Sequence, residues 1–576
     1  MRLQQLTRHT PKTLDRKMKK RLPGGPTGHI DTFAAEQLPP RHELPEFDFE
    51  SLSVLRGYPD RINAGAELLD HMCTAGFSKK PVLHYGQVTW SYGELLKISN
   101  RIASALVEKH GLKPGNRVLL RSSNNPMLVA CWYAVLKAGG ICVTTMQLLR
   151  SRELVYIIKK AKVTYALCEI TLANELDKAT KTAPTLSTSL YFSALGTESA
   201  SLDRVINTAN YKFKNCETSA DDTALIAFTS GTTGSPKATM HFHRDILAMT
   251  DCFPRSFNMV DSNDVFAGTP PLAFTFGLGG LVCFPMRFGA STRFFPEPMT
   301  PEKLLIAIEK YRITGLYTAP TMYRQLAELA DKYDISSLNK CVSAGETLPK
   351  ATWESFYETT GIRIADGLGS TEMIHIFVSA RPDKMRAGFT GKAIPGYRAK
   401  IVDEKGQELG PNQPGLLAVQ GPTGCRYLDD PRQTQYVRDG WNYPGDIYEM
   451  DDNGYLRYVA RDDDMIISSG YNISGPEVEN ALQSHEAVAE CAVIAKPDKD
   501  RTNIVKAFVV LRPKFKGNAG MIGELQAFVK NEIAPYKYPR EIKFVDELPK
   551  TETGKLQRFR LREEENFKHI KNQNSK

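Results

Sequence analysis

Apolar residues recur along this chain with two alternating periods. Leu95, Ile98, Ile102 and Leu106 lie three or four residues apart and predict a helix. Ser91 and Glu94, just ahead of them, have the spacing of a capping box. Pro114-Gly115-Asn116 predicts a turn into a strand over 117–120. A second helix is expected over 127–137, stopped by Gly139 and Gly140, then a strand over 141–145. The next unit ends in a strand at 165–169, and the apolar run 224–228 reads as another. Strand–helix–strand alternation predicts an α/β fold with parallel, doubly wound sheets. Near the end the pattern changes. Gly475-Pro476-Glu477-Val478-Glu479 opens a helix, with proline in its first turn and acids at its positive end. Strands at 492–494 and 506–511 make this a smaller α+β unit.

Composition narrows the class. The 576 residues suffice for more than one domain and a large core. Hydrophobic content of 41% and charged content of 24% are those of a soluble globular protein. No apolar run is long enough to span a bilayer. The net charge of +9 is modest, and part of it sits in the first residues, so it does not argue for nucleic acid. Residues 1–28 form a basic tail, with Arg2, Arg8, Lys12, Arg16, Lys17, Lys19, Lys20 and Arg21 against Asp15 alone. A disordered extension is expected, and a cytoplasmic protein; a mitochondrial transit peptide is the alternative, which the absence of serine before Ser51 disfavours. Ten scattered cysteines with no metal-site spacing read as reduced thiols.

The chemistry starts at residues 229–237, TSGTTGSPK. They follow the strand at 224–228, where an open α/β sheet places ligands. Gly231 and Gly234 let backbone approach an anion closely. The hydroxyls of Thr229, Ser230, Thr232 and Thr233 can donate to phosphate oxygens, and Lys237 adds a cation. Ser235 and Pro236 separate glycine from lysine, so this is no Walker A loop. Alone, the stretch reads first as a polar surface loop.

With further segments in order, the chain resembles the adenylate-forming superfamily of acyl-CoA synthetases, luciferases and peptide-synthetase adenylation domains. Those segments are Ser343-Ala344-Gly345-Glu346-Thr347, Asp366-Gly367-Leu368-Gly369-Ser370-Thr371-Glu372, Gly440 to Asp446, Arg461 to Ile466, and Pro549 to Arg558. The resemblance covers about residues 30–565. It implies a large adenylation domain over 29–462 and a mobile lid domain over 463–576. It also implies roles. Thr229 to Gly234, Lys237, Gly345, Glu346, Asp366, Gly367, Asp446 and Arg461 bind ATP. Thr371 meets the α-phosphate, Glu372 holds Mg²⁺, and Lys555 is the catalytic lysine. Asp463 is the hinge, and Gly470 flanks the coenzyme A channel. Phe274 gates the acyl pocket, with Thr275, Phe276, Gly369 and His375 as its walls. Leu368 stands where the family often has an aromatic, and Pro444 replaces a usual threonine.

The reaction implied has two steps, carboxylate plus ATP to acyl-AMP, then transfer to coenzyme A. Within the superfamily, residues 271–280, 366–377 and 421–427 look most like benzoate-type ligases, 2-aminobenzoate–CoA ligases above all. The expected partners are thus a carboxylic acid, ATP and coenzyme A, with Mg²⁺, in a monomer or homodimer. Medium-chain fatty acids, and loading of a separate carrier protein, are the alternatives. His375 carries the sharpest expectation. Strand-like alternation between Ile374 and Ile376 would turn its ring away from them and toward the acyl group.

Overall fold

The computed structural model describes residues 26–229, 236–257, 259–345, 348, 350–461, 465–549, 558, 560–562, 564 and 565. Its first sheet has six strands. Arg117–Arg121 pairs in parallel with Ile141–Thr145 and Tyr165–Glu169, and Ile141–Thr145 with Thr223–Thr229. Lys237–Phe242 folds back antiparallel to Thr223–Thr229, so the segment 230–236 joins two hydrogen-bonded neighbours. Every residue of Arg117–Arg121 and Ile141–Thr145 is buried. That is why these strands read as apolar runs rather than alternations.

The helix between them, Pro126–Lys137, starts where the Asn125 side chain accepts the Leu128 N–H, with proline at its first turn. All its residues are buried, so it is apolar all round. Its one charge, Lys137, pairs with Asp70. The capping box at Ser91 and Glu94 is formed, opening the helix Tyr92–Ser104.

The second sheet has nine strands, with Val265–Gly268, Gly315–Thr318, Lys340–Ala344 and Ile364–Gly369 parallel at its centre. One apolar core, running from Leu55 to Leu456, packs against both sheets. A third, largely antiparallel sheet spans Arg398–Val402 to Leu456–Arg461. From Ile466 onward the chain has a core of its own. There Val488–Asp498, Thr502–Leu511 and Glu541–Phe544 form a three-stranded sheet beside the helices Gly475–Gln483 and Ala519–Glu532.

The expected basic tail lies outside the described residues up to 25. Its last members depart from a free tail. Thr27 and the Gly28 N–H are both bonded to Asp222.

Candidate active site

The carboxyl ends of strands from both large sheets meet around one cavity of ≈ 350 Å³. Thr144, Thr145, Phe228 and Thr229 come from the six-stranded sheet; Ala344, Gly345 and Gly369 come from the nine-stranded one. A crevice outside the carboxyl ends of parallel strands is where open α/β sheets bind ligands. Of the residues singled out in the sequence, Thr229, Phe274, Thr275, Phe276, Gly345, Gly369, Thr371, His375 and Gly470 all line it. Ser230 to Gly234, Glu346, Asp463 and Lys555 lie outside the described residues.

At the polar end, the Thr229 Oγ1 is buried without a hydrogen-bond partner among the described residues. Beside it, Lys237 donates to the Tyr427 hydroxyl at 3.0 Å, and that hydroxyl donates to Glu372 Oε1 at 2.6 Å. Lys237 and Glu372 stand 3.8 Å apart. Tyr427 thus links a cation and a carboxylate that are 135 positions apart in sequence (372 − 237). Burial and the Glu372 charge hold its phenol well above its usual pKa, so it stays a donor. His241 Nε2 donates to the Thr371 carbonyl at 2.8 Å. Ser370 Oγ and the Tyr436 hydroxyl are 3.0 Å apart. The Thr371–Glu372 turn is therefore fixed from three sides. Tyr427, Tyr436 and His241 went unassigned in the sequence; the only signal was that Tyr427 closes the segment 421–427.

Glu372 is 7% exposed. Among the described residues no group of three or more His, Cys, Asp or Glu side chains could hold a metal. A single buried carboxylate beside the expected phosphate loop suits a hard cation that takes its other ligands from phosphate oxygens and water.

Asp366 and Asp446 lie apart from the cavity. Asp366 borders a small recess with Trp353, Arg386 and Thr390. Burial raises its carboxyl to about 7, against opposing hydrogen bonds from Thr390 and Gly367. Gly367, on the other side of that strand, faces Ile376. Asp446 is 7% exposed and lies opposite Arg461 in the antiparallel pair.

The apolar end is built on Phe274 to Cys283. The chain turns there into the short helix Thr275–Leu278 and continues helically through Gly279–Cys283. His375 sits against it, 3% exposed. Its ring centroid is 4.5 Å from Phe284, 5.8 Å from Phe276 and 6.1 Å from Phe253. Burial drives its pKa down to about 3, against a weaker pull from the Phe276 carbonyl, so the ring is neutral. Nε2 donates to that carbonyl at 3.4 Å, which makes Nδ1 the acceptor. Nδ1 is buried with no partner among the described residues. A Cβ on Gly279 would stand 2.3 Å from His375 Cδ2, so only glycine leaves room for the ring.

The route to this placement corrects the sequence argument. Ile374 is not in a strand and points nowhere by alternation. Its φ is +67°, left-handed for a β-branched residue, and its N–H bonds the Thr371 carbonyl. Such a conformation is strained and persists only where its surroundings enforce it. The strand Ile376–Ser379 begins only after His375. Ile374, His375 and Ile376 are all buried.

The comparisons agree with this arrangement. The AMP-binding enzyme family matches residues 71–426, and the AMP-binding enzyme C-terminal domain matches 477–555. A benzoate–CoA ligase from Thauera aromatica is 35% identical over 88% of this chain and 96% of its own. The mitochondrial acyl-coenzyme A synthetase ACSM3 of Pongo abelii is 35% identical over 83% of this chain and 84% of its own. Among solved structures, the anthranilate CoA ligase AuaEII in complex with anthranoyl-AMP superposes with a TM-score of 0.68 at 31% identity. That match covers 88% of this chain and 98% of that one. With a catalytic crevice at the carboxyl ends of its parallel strands and both family segments in order, this chain belongs to the AMP-binding enzyme family.

Proposed function

We propose that this protein is an ATP-dependent ligase that joins an aromatic carboxylate, of the benzoate or 2-aminobenzoate type, to coenzyme A. In the first step the carboxylate oxygen attacks the α-phosphorus of ATP and pyrophosphate leaves, giving aryl-AMP. In the second the coenzyme A thiolate attacks the acyl carbon and AMP leaves. Two anions meet in the first step, so catalysis is charge neutralisation and positioning. Thr229, Ser230 to Gly234 and Lys237 hold the phosphates, and Thr371 donates to the α-phosphate. Gly345 and Glu346 hold the adenine, and Asp446 and Arg461 the ribose beyond the cavity lining; Asp366, in its own recess, and Gly367, against Ile376, take no part in it. Glu372, kept in place by Tyr427, would hold Mg²⁺, and that ion would supply positive charge for the phosphates. Lys555 bridges carboxylate and α-phosphate. The small domain then turns about Asp463 for the second step.

The observation that carries the aryl assignment is the neutral His375 ring, set among Phe276 and Phe284 at a glycine-lined slot. A flat acid stacks in such a slot. The names of the relatives point the same way. The second reading, an aliphatic acyl group, draws on the similarity to ACSM3. Pyrophosphate release across benzoate, 2-aminobenzoate, hydroxybenzoates and C4–C10 fatty acids separates the two. The aryl acids should give kcat/KM at least about tenfold above the best fatty acid, the discrimination available to a shaped pocket. A fatty acid at the top of the series defeats the aryl assignment.

A further inference from the structure

The cavity has a third wall, made by the small domain. Ser469, Gly470, Tyr471, Glu477, Tyr536 and Lys537 face it. The Gly470 carbonyl lies 3.8 Å from where a Gly345 Cβ would stand, so the 469–471 loop closes over the adenylate end.

What holds that wall is a buried charge cluster across the domain boundary. The Lys537 ammonium lies 2.9 Å from Glu153 Oε1 in the large domain and 2.7 Å from Glu477 Oε1 in the small one. Their side chains are only 6%, 8% and 11% exposed. Burial works against the ammonium, but Tyr536, Glu477 and Glu153 outweigh it and hold its pKa above the ordinary value. Among the described residues, the other ion pairs between the two parts are weaker. Arg152–Glu532 is 3.7 Å long with 54% and 37% exposure, and Arg324–Asp500 leaves its carboxylate 81% exposed. Exposed pairs of this kind contribute little, whereas removing one partner of a buried pair leaves an uncompensated charge.

Glu153 is also well placed to report on the phosphate loop. It belongs to the helix Ser151–Lys160, whose Tyr156 hydroxyl donates to the Pro236 carbonyl at 3.0 Å, near the end of that loop. The same helix thus touches the end of the phosphate loop and the small domain.

We infer that Glu153 and Lys537 are positioning residues for thioester formation: their ion pair latches the small domain in the orientation that brings Gly470 and Tyr471 over the cavity. This rests on the two-step reading above and adds to it. In the first step the small domain must present Lys555 instead, so the latch has to open between the steps. Lys537 carries Glu477 with it as a built-in counter-ion, and Glu153 is the partner left behind. The latch therefore favours the second step without contributing to the first.

The test is Glu153→Gln. Glutamine keeps the bond that Glu153 Oε2 accepts from the Arg150 N–H at 2.8 Å, so the helix start survives while the charge goes. Two half-reactions are measured on the full chain: pyrophosphate release from benzoate and ATP, and benzoyl-CoA formation from supplied benzoyl-AMP. The latch predicts a loss of about tenfold or more in the second, the effect of uncoupling a buried charge pair, with the first within about twofold. Equal losses in both, or none in either, overturn it. Backbone hydrogen exchange over 465–480, with 117–137 as the internal reference, reads the latch without any substrate. Faster exchange confined to 465–480 in Glu153→Gln supports it, and an unchanged pattern overturns it. If wild-type enzyme adenylates no acid at all, the two-step reading falls, and the exchange measurement alone decides the latch.

Discussion

Substituting Gly279 by alanine tests the aryl slot from behind. The backbone there is ordinary right-handed helix, φ −63° and ψ −60°, so alanine is conformationally welcome. Reduced freedom in the unfolded chain would by itself stabilise the variant by about 0.4–1 kcal/mol. Packing reverses the sign. The new Cβ would lie 2.3 Å from His375 Cδ2, 2.6 Å from Nε2 and 3.2 Å from Phe284 Cζ. Carbon atoms prefer about 3.5 Å, so the ring must move by roughly 1 Å. Phe284 meets it edge-on with centroids 4.5 Å apart and Phe253 lies beyond, which leaves the cavity as the way out. Overpacking of this size costs about 1–3 kcal/mol. Intrusion by about a methyl group's width into a substrate slot costs a further 1–3 kcal/mol of transition-state binding, roughly 10–200-fold. Gly279→Ala should therefore lower kcat/KM for benzoate at least about tenfold, the lower end of that range, with KM for ATP nearly unchanged. The assays are initial-rate pyrophosphate release at saturating ATP, and thermal unfolding to confirm a folded protein. An unchanged kcat/KM for benzoate would refute the claim that His375 borders the acyl group.

Other expectations follow from the polar end and the buried histidines. Tyr427→Phe keeps the ring under Lys237 but leaves Glu372 without its donor; adenylate formation should fall about tenfold, and a change under twofold removes Tyr427 from the site. Lys555→Ala should lose adenylate formation by at least about a hundredfold, the usual scale for an electrostatic catalytic group, while thioester formation from supplied acyl-AMP largely survives. Equal loss of both half-reactions would reassign that lysine. Burial lowers His241 to about 4 and His243 and His375 to about 3. The unfolded chain takes up these protons below about 6.5 while the native state refuses them, so stability is full above that pH and falls as pH drops toward 4. Each histidine contributes up to about 1.4 kcal/mol per pH unit in that window. A thermal midpoint that stays flat from pH 7.5 to pH 5 contradicts this.

Much of the scaffold was readable because it depends on local pattern. Arg117–Arg121, Ile141–Thr145 and Tyr165–Glu169 are short apolar runs between turn residues, and the fold makes them parallel neighbours. The family was legible from motifs that recur in a fixed order, and its match runs through the Thr371–Glu372 segment. What escaped has long reach or unfavourable local conformation. Tyr427 reaches Glu372 across 55 positions, and Glu153 reaches Lys537 across 384. No periodicity encodes either contact. His375 enters the cavity because Ile374 adopts φ +67°, which no propensity assigns to isoleucine. His375 does line the cavity, but alternation is not what brings it there.

The central claim is that a carboxylate oxygen attacks the α-phosphorus of ATP before the acyl group passes to coenzyme A. It is tested most directly with benzoate labelled in both carboxyl oxygens with oxygen-18, incubated with ATP and coenzyme A. Mass spectrometry of the products then locates the label. The account predicts benzoyl-CoA, AMP and pyrophosphate in equal amounts, with a single label in AMP and none in pyrophosphate. Label in inorganic phosphate with ADP as co-product would contradict it, as would unlabelled AMP.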